Sequence, residues 1–246
     1  MRKSSWKKFL MAGMAVILSA SAIIVSRYWY MPKCVFEPVR LHGYQLILDA
    51  GHGGEDGGAV SLTGVPESGI NLSVVLKMDL LLGFYGITPT LLRETDISLH
   101  NANAVTLREK KVSDLHNRVA VIESKENAVL ISIHQNTFSN SAYHGAQIFY
   151  REGPDSQALA VLVQNTLRDG VDPSNGRTPT KIPDSVYLMK HITCPAILVE
   201  CGFLSNPAEE EKLRDDNYQT QIALCIVSAW LQSEKIQSGE GAHPMV

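Results

Sequence analysis

The chain has 246 residues, 45% of them hydrophobic, which is enough for one sizeable core and calls for no second domain. A formal net charge of -3 and a pI near 6.2 leave no basic footprint, so composition excludes nucleic acid as a charge-driven partner. Attraction of a substrate must come from local geometry.

The first signal along the chain is one of targeting. Arg2, Lys3, Lys7 and Lys8 precede an uncharged stretch from Phe9 to Val25, and Arg27-Tyr28-Trp29-Tyr30 follows it. Ala20-Ser21-Ala22 resembles a signal-peptidase site, but the apolar run continues through Ile23-Ile24-Val25 into aromatics suited to a membrane interface. The stretch sits at the short end of the roughly 17–25 residues that span a bilayer. Residues 1–30 are therefore expected to be an uncleaved membrane anchor in preference to a cleaved signal, with the basic flank inside and the remainder exported. Residues 31–43, with two prolines and no periodicity, read as a linker.

A domain over residues 44–235 follows. Tyr44 to Leu48 reads as a buried strand ending at Asp49, and Glu67 to Leu82 has helical spacing with Gly83 behind it. Next come a strand over Thr88–Leu92, a helix over Ser113–Lys125 capped by Ser113, and strands over Ala128–Ile133 and Ala146–Tyr150. Ser156–Leu167 reads as a helix, Ala196–Val199 as an apolar strand, and Pro207 to about Lys235 as one terminal helix whose Glu209–Glu211 suit its dipole as a solvated first turn. Residues 236–246 read as a flexible tail. Strands apolar on both faces, alternating with helices, give an α/β class: one domain with a twisted, mostly parallel sheet covered by helices on both sides. Cys34, Cys194, Cys201 and Cys225 form no CxxC pair, which excludes a zinc knuckle or thioredoxin motif. Cys201 and Cys225 read as small buried hydrophobes.

Open α/β sheets place ligands beyond the carboxyl ends of their strands, and four polar groups fall there: His52, Glu67, His134 and Glu200. Alone, the first three have ordinary alternatives as a turn histidine, a helix-start carboxylate and a core histidine. Glu200 differs, because Ala196-Ile197-Leu198-Val199 delivers it from an apolar strand, where an unpaired carboxylate is expensive. Two histidines and a glutamate supply the donors zinc accepts and leave a fourth position for water. A separate carboxylate is then needed to move protons, and Glu200 supplies it.

His52 in LDAGHGGEDGGAV, Glu67 in GVPESGINLS, His134 in ISIHQN and Glu200 in ILVECGFLSN resemble the ordered signature of the zinc-dependent N-acetylmuramoyl-L-alanine amidases of the Amidase_3 type. The resemblance runs from Tyr44 to Gln232. It implies that His52, Glu67 and His134 bind one zinc ion per chain. It also implies that Glu200 is the catalytic acid/base and that the lactyl-to-L-alanine amide of peptidoglycan is cut. Ser185-Val186-Tyr187-Leu188-Met189-Lys190-His191 and the following Cys194–Glu200 are most similar to the germination-specific amidases of spore formers. That subgroup implies a role in making the muramic δ-lactam of spore cortex, with a deacetylase acting downstream or an accessory protein as partner. It also implies a location outside the cytoplasm, which in a spore former is the forespore intermembrane space.

Two departures from the family pattern, Ser68 after the glutamate and Gln135 after the second histidine, bear on substrate detail. Arg93 and Arg118 have the geometry to meet a peptide carboxylate, against the commoner reading as solvated or structural partners. His144 and His191 lie in loops that are candidates for the cleft wall, not for ligands, and His100 and His116 read as surface residues. A zinc peptidase acting on another amide, and a wall-binding module without catalysis or dependent on a partner, are the alternatives left open.

Overall fold

The computed structural model describes residues 44–237. The expected anchor, the linker and tail residues 238–246 lie outside them. Among the described residues no helix is long and apolar enough to cross a membrane.

The chain alternates as expected: β1 (Gln45–Ala50), α1 (Glu67–Phe84), β2 (Thr90–Leu91), α2 (Leu107–Glu123), β3 (Ala128–Asn136), β4 (Gln147–Tyr150) and α3 (Pro154–Gly170). There follow β5 (Thr180–Lys181), α4 (Tyr187–His191), β6 (Ala196–Phe203), α5 (Pro207–Arg214) and α6 (Asp216–Gln237). The strands form one sheet in the order β2-β1-β3-β6-β4-β5. β2, β1, β3 and β6 are parallel, whereas β4 runs antiparallel to β6 and carries β5 with it.

Successive side chains of a strand point to opposite faces, and both faces here are covered. Leu46, Leu48, Ile131, Ile133 and Val199 pack under α1, α3 and α6, while Ile47, Leu130, Ala196 and Leu198 pack under α2 and α4. This two-sided burial is the reason the strands read as unbroken apolar runs.

Several features differ from the sequence reading. α2 starts at Leu107 and not at Ser113, because Thr106 and Glu109 form a reciprocal capping box, while the Ser113 hydroxyl accepts the Asn101 N–H. The terminal helix is two helices. Asp215 is extended and its carboxylate accepts the Tyr218 N–H, which opens a new helix instead of continuing the old one. Glu209 and Glu210 are buried, not solvated. Glu209 accepts the N–H groups of Gly145 and Phe203, both at 2.8 Å. Those donors flank a register shift that places an extra residue in β6 just after Glu200, and bulges of this kind re-aim side chains at sheet rims.

The turn after β1 is held from below. Arg118 is buried, donates to Asp49, to Asp114 at 2.7 Å, and to the carbonyls of Ala50 and His52 at 3.1 and 2.8 Å. Asp49 accepts also from the Ser132 hydroxyl of β3 at 2.6 Å. Arg93, equally buried, donates to the carbonyls of Ala50, Gly51 and Ser68 at 2.8, 3.1 and 2.7 Å. Both arginines therefore serve the fold, their donors spent on Asp49, Asp114 and backbone carbonyls. Their grip keeps His52 at φ 62°, a left-handed conformation that costs an unbranched non-glycine residue about 1–3 kcal/mol.

Replacing Arg118 with Ala leaves Asp49 charged and unpaired in the core, and about 3–5 kcal/mol of stability is expected to be lost in chemical denaturation. On α1, Met78→Ala empties a fully buried site and should remove about 2–5 kcal/mol. Leu80→Ala, at a position 66% exposed, should stay within about 0.5 kcal/mol of the parent.

Candidate metal centre and active site

The four residues expected to carry chemistry meet at the carboxyl edge of the sheet. His52 stands in the turn after β1, Glu67 is the first residue of α1, His134 lies within β3, and Glu200 lies beside it in β6 as its register partner. β3 and β6 run further than expected, so His134 and Glu200 are strand residues whose positions are fixed by the ladder. Close approach is built in: a Cβ at Gly51 would fall 2.2 Å from the His134 ring, and one at Gly58 would fall 2.4 Å from Glu67 Oε1.

Glu67 is the hub. Its Oε1 lies 3.1 Å from His52 Nε2 and its Oε2 3.4 Å from His134 Nδ1. The same carboxylate accepts the backbone N–H of Ala59 at 2.7 Å and of Gln135 at 2.8 Å, and the Asn71 amide at 3.1 Å. Burial acts to raise its pKa, but the two histidines and these donors hold it well below the usual carboxylate range. The two imidazole rings meet edge-on with centroids 5.0 Å apart.

One ligand-type atom from each of His52, Glu67 and His134 lies within 4.8 Å of the others. Two imidazole nitrogens and a carboxylate oxygen, converging in a partly closed cleft, could hold a metal ion. The donor set suits zinc, which takes nitrogen and oxygen ligands at about 2.0–2.2 Å. The surroundings of His52 point the same way. Its Nδ1 lies 2.9 Å from Asp56 Oδ2, and Asp56 is steadied by Lys111 at 2.8 Å and by the Gly58 N–H at 3.2 Å. A carboxylate on the far nitrogen is the usual device for fixing a metal-binding imidazole. Burial opposes protonation of His52, but Asp56 and Glu67 outweigh it and lift its pKa to about 9. This corner of the protein attracts positive charge.

Glu200 is in a different state. Its Oε2 is shut away from solvent and has no hydrogen-bond partner among the described residues. Desolvation, joined by the negative charge of Glu67, pushes its pKa up to about 7 against the pull of His134 and His52. A carboxyl group poised near neutrality, beside a cluster of metal-type donors, is suited to taking up and returning a proton. A cleft of about 300 Å³ opens next to His52 and His134, walled by Lys111, Leu115, Tyr187 and Leu188.

Sequence reasoning missed Asp56, Lys111 and Asn71. Asp56 had a local signal, standing four residues after His52, whereas Lys111 and Asn71 look like ordinary helix residues. His191 is turned onto its own helix, with Nδ1 2.8 Å from the Tyr187 carbonyl, and His144 lies 3.5 Å from Asp172. Neither is brought to the donor cluster.

Comparison with known proteins agrees with this geometry. The family model described as N-acetylmuramoyl-L-alanine amidase matches residues 46–231. The germination-specific N-acetylmuramoyl-L-alanine amidase of Bacillus subtilis is 31% identical over 94% of this chain and 95% of its own length. Among solved structures, the CwlD amidase of Clostridioides difficile, determined in complex with the GerS lipoprotein, superposes with a TM-score of 0.75. It is 39% identical, with 79% of this chain and all of that one covered. An N-acetylmuramoyl-L-alanine amidase from Clostridium difficile 630 gives 0.66 at 29% identity, covering 80% and 98%. With the family match running from β1 into α6, the chain belongs to the N-acetylmuramoyl-L-alanine amidases.

Proposed function

We propose that His52, Glu67 and His134 hold one zinc ion, and that Glu200 moves the protons as the chain cuts the lactyl-to-L-alanine amide of peptidoglycan. The observation that carries this reading is the pairing of a three-donor cluster with a buried, unpartnered carboxyl group whose pKa is lifted to about 7. When bound, zinc supplies a Lewis acid that polarises the amide carbonyl and lowers the pKa of water to about 7. Glu200 accepts the proton of the attacking water and returns it to the departing nitrogen, a role open to a group that is partly ionised near neutral pH. Asp56 fixes the His52 ring, and the Ala59, Asn71 and Gln135 donors fix Glu67, so both side chains are already oriented to hold the metal.

The similarity to the germination-specific amidase of Bacillus subtilis and to the CwlD amidase supports a place in spore cortex, where removal of the peptide prepares muramic acid for δ-lactam formation by a deacetylase. The exported location, with the N-terminal segment as membrane anchor, rests on the basic and apolar pattern of residues 1–30. An accessory protein belongs to the same reading, since the CwlD structure is a complex with a lipoprotein.

Two measurements test the assignment. Glu200→Gln should keep about one zinc per chain while peptide release from muropeptides, followed by mass spectrometry, falls by about 10²–10⁴-fold. Loss of metal together with activity would instead make Glu200 a ligand. Zinc affinity should rise with pH, because the proton on His52 must leave before the metal can bind. Between about pH 7 and pH 9 the expected gain is roughly tenfold per unit, levelling off above 9, with close to one proton released per ion in calorimetry.

A further inference from the structure

At the same carboxyl edge, across β6 from the donor cluster, lies an open depression of about 570 Å³ between the loop that leaves β3 and the loop that follows α3. Arg177 stands in its wall. Its guanidinium carbon is 4.7 Å from the centroid of the Phe203 ring and 5.6 Å from that of Tyr143. Nε donates to the His144 carbonyl at 2.9 Å. Among the described residues no carboxylate pairs with this arginine, and its two terminal nitrogens have no partner. A guanidinium stacked on aromatic rings, with one edge used and the other open, is preorganised to grip a planar anion.

The loop that presents it is fixed. Arg168 donates to the carbonyls of Asn175 and Arg177 at 2.8 and 2.6 Å. Asn175 is 3% exposed, donates to the Ala146 carbonyl at 2.8 Å and accepts the Arg177 N–H at 3.0 Å. The free edge of Arg177 is thus held in place without being satisfied, unlike Arg93 and Arg118, whose donors are spent on the fold.

We propose that Arg177, seated on Tyr143 and Phe203, binds a carboxylate of the peptide stem and so selects acidic stem peptides. This rests on the amidase reading and names the part of the substrate that the reading leaves open. Phe203 lies on the same strand as Glu200, past the register shift, and the partners of the two on β3, His134 and Asn136, are two residues apart, so they stand about 7 Å apart along the sheet at ~3.3 Å per residue. An extended peptide advances about 3.3–3.6 Å per residue, so a carboxylate two or three residues past the cut amide reaches Arg177 while the amide stays at Glu200. Stem peptides of peptidoglycan are acidic over that span.

The test compares the full zinc-loaded chain on a muropeptide with free stem carboxylates and on the same muropeptide with those carboxylates amidated. Wild type should show a KM roughly tenfold or more lower for the free acid. Arg177→Ala should raise KM for the acid by that factor, leave its kcat nearly unchanged, and leave the amidated substrate unaffected. Arg177→Lys, which keeps the charge without the fork, should recover only part of the preference. A merely structural role would lower the thermal midpoint and change both substrates alike. If both substrates are cut and Arg177→Ala discriminates between them as wild type does, the assignment of Arg177 falls and the amidase reading stands. If wild type cuts neither, both fall.

Discussion

The arrangement depends first on a charge buried where solvent cannot reach it, the guanidinium of Arg118. It ties the last residues of β1 to α2 through Asp49 and Asp114, and through Asp49 to Ser132 of β3. Burial alone disfavours the charged form of such groups. Here Asp49 and Asp114 together outweigh desolvation and hold the Arg118 pKa above its ordinary value, while Arg118, with His134 and Ser132, holds the Asp49 carboxyl below its ordinary range. An isolated ion pair in a core is a poor source of net stability. What this one provides is direction: its remaining donors end on the carbonyls of Ala50 and His52, so the backbone entering the turn after β1 is held on one course. The left-handed His52 follows from that, and with it the placement of the first metal-type donor.

From this point the site divides its carboxylates by environment. Asp56 and Glu67 are surrounded by donors and cations and stay ionised; together they raise His52 and make the corner receptive to a cation. Glu200 reaches the same cleft from a strand that is apolar along its length, meets no donor for its inner oxygen, and stays near neutrality. Ionised and poised carboxyl groups within one small cleft are what proton transfer next to a metal requires, and the protein obtains the difference through burial, neighbouring charge and the supply of hydrogen-bond donors.

Much of this was legible in the sequence because strands that are buried on both faces write themselves as apolar runs, and a polar residue at the end of such a run has to be explained. His134 and Glu200 were found that way. The parts that escaped depend on partners distant along the chain. Glu209 looks like any helix-start carboxylate until Gly145 and Phe203 bring their N–H groups to it. Arg118 looks like an exposed helix residue until Asp49, on another element, turns it inward. The start of α2 escaped for another reason: Arg108 to Lys111 carry no apolar periodicity, so the only local sign was the Thr106–Glu109 capping box. The short helix α4 and the two-residue strand β5 are too brief to leave a periodic trace.

Both departures from the family pattern are buried in the fold. Ser68 is buried and its carbonyl accepts from Arg93. Gln135 points to the face opposite His134, where its amide donates to Asn71 at 3.1 Å, and Asn71 in turn steadies Glu67 and the Gly51 carbonyl. A small residue at position 135 would leave the Asn71 carbonyl oxygen without that donor, in a place where an unmet polar atom costs about 1–3 kcal/mol. The Gln135 side chain therefore bears on how firmly Asn71, and through it Glu67, is held. Side chains that project from the carboxyl edge with donors or rings to spare, such as Arg177 and Tyr143 in the loops after α3 and β3, are the ones placed to select among substrates.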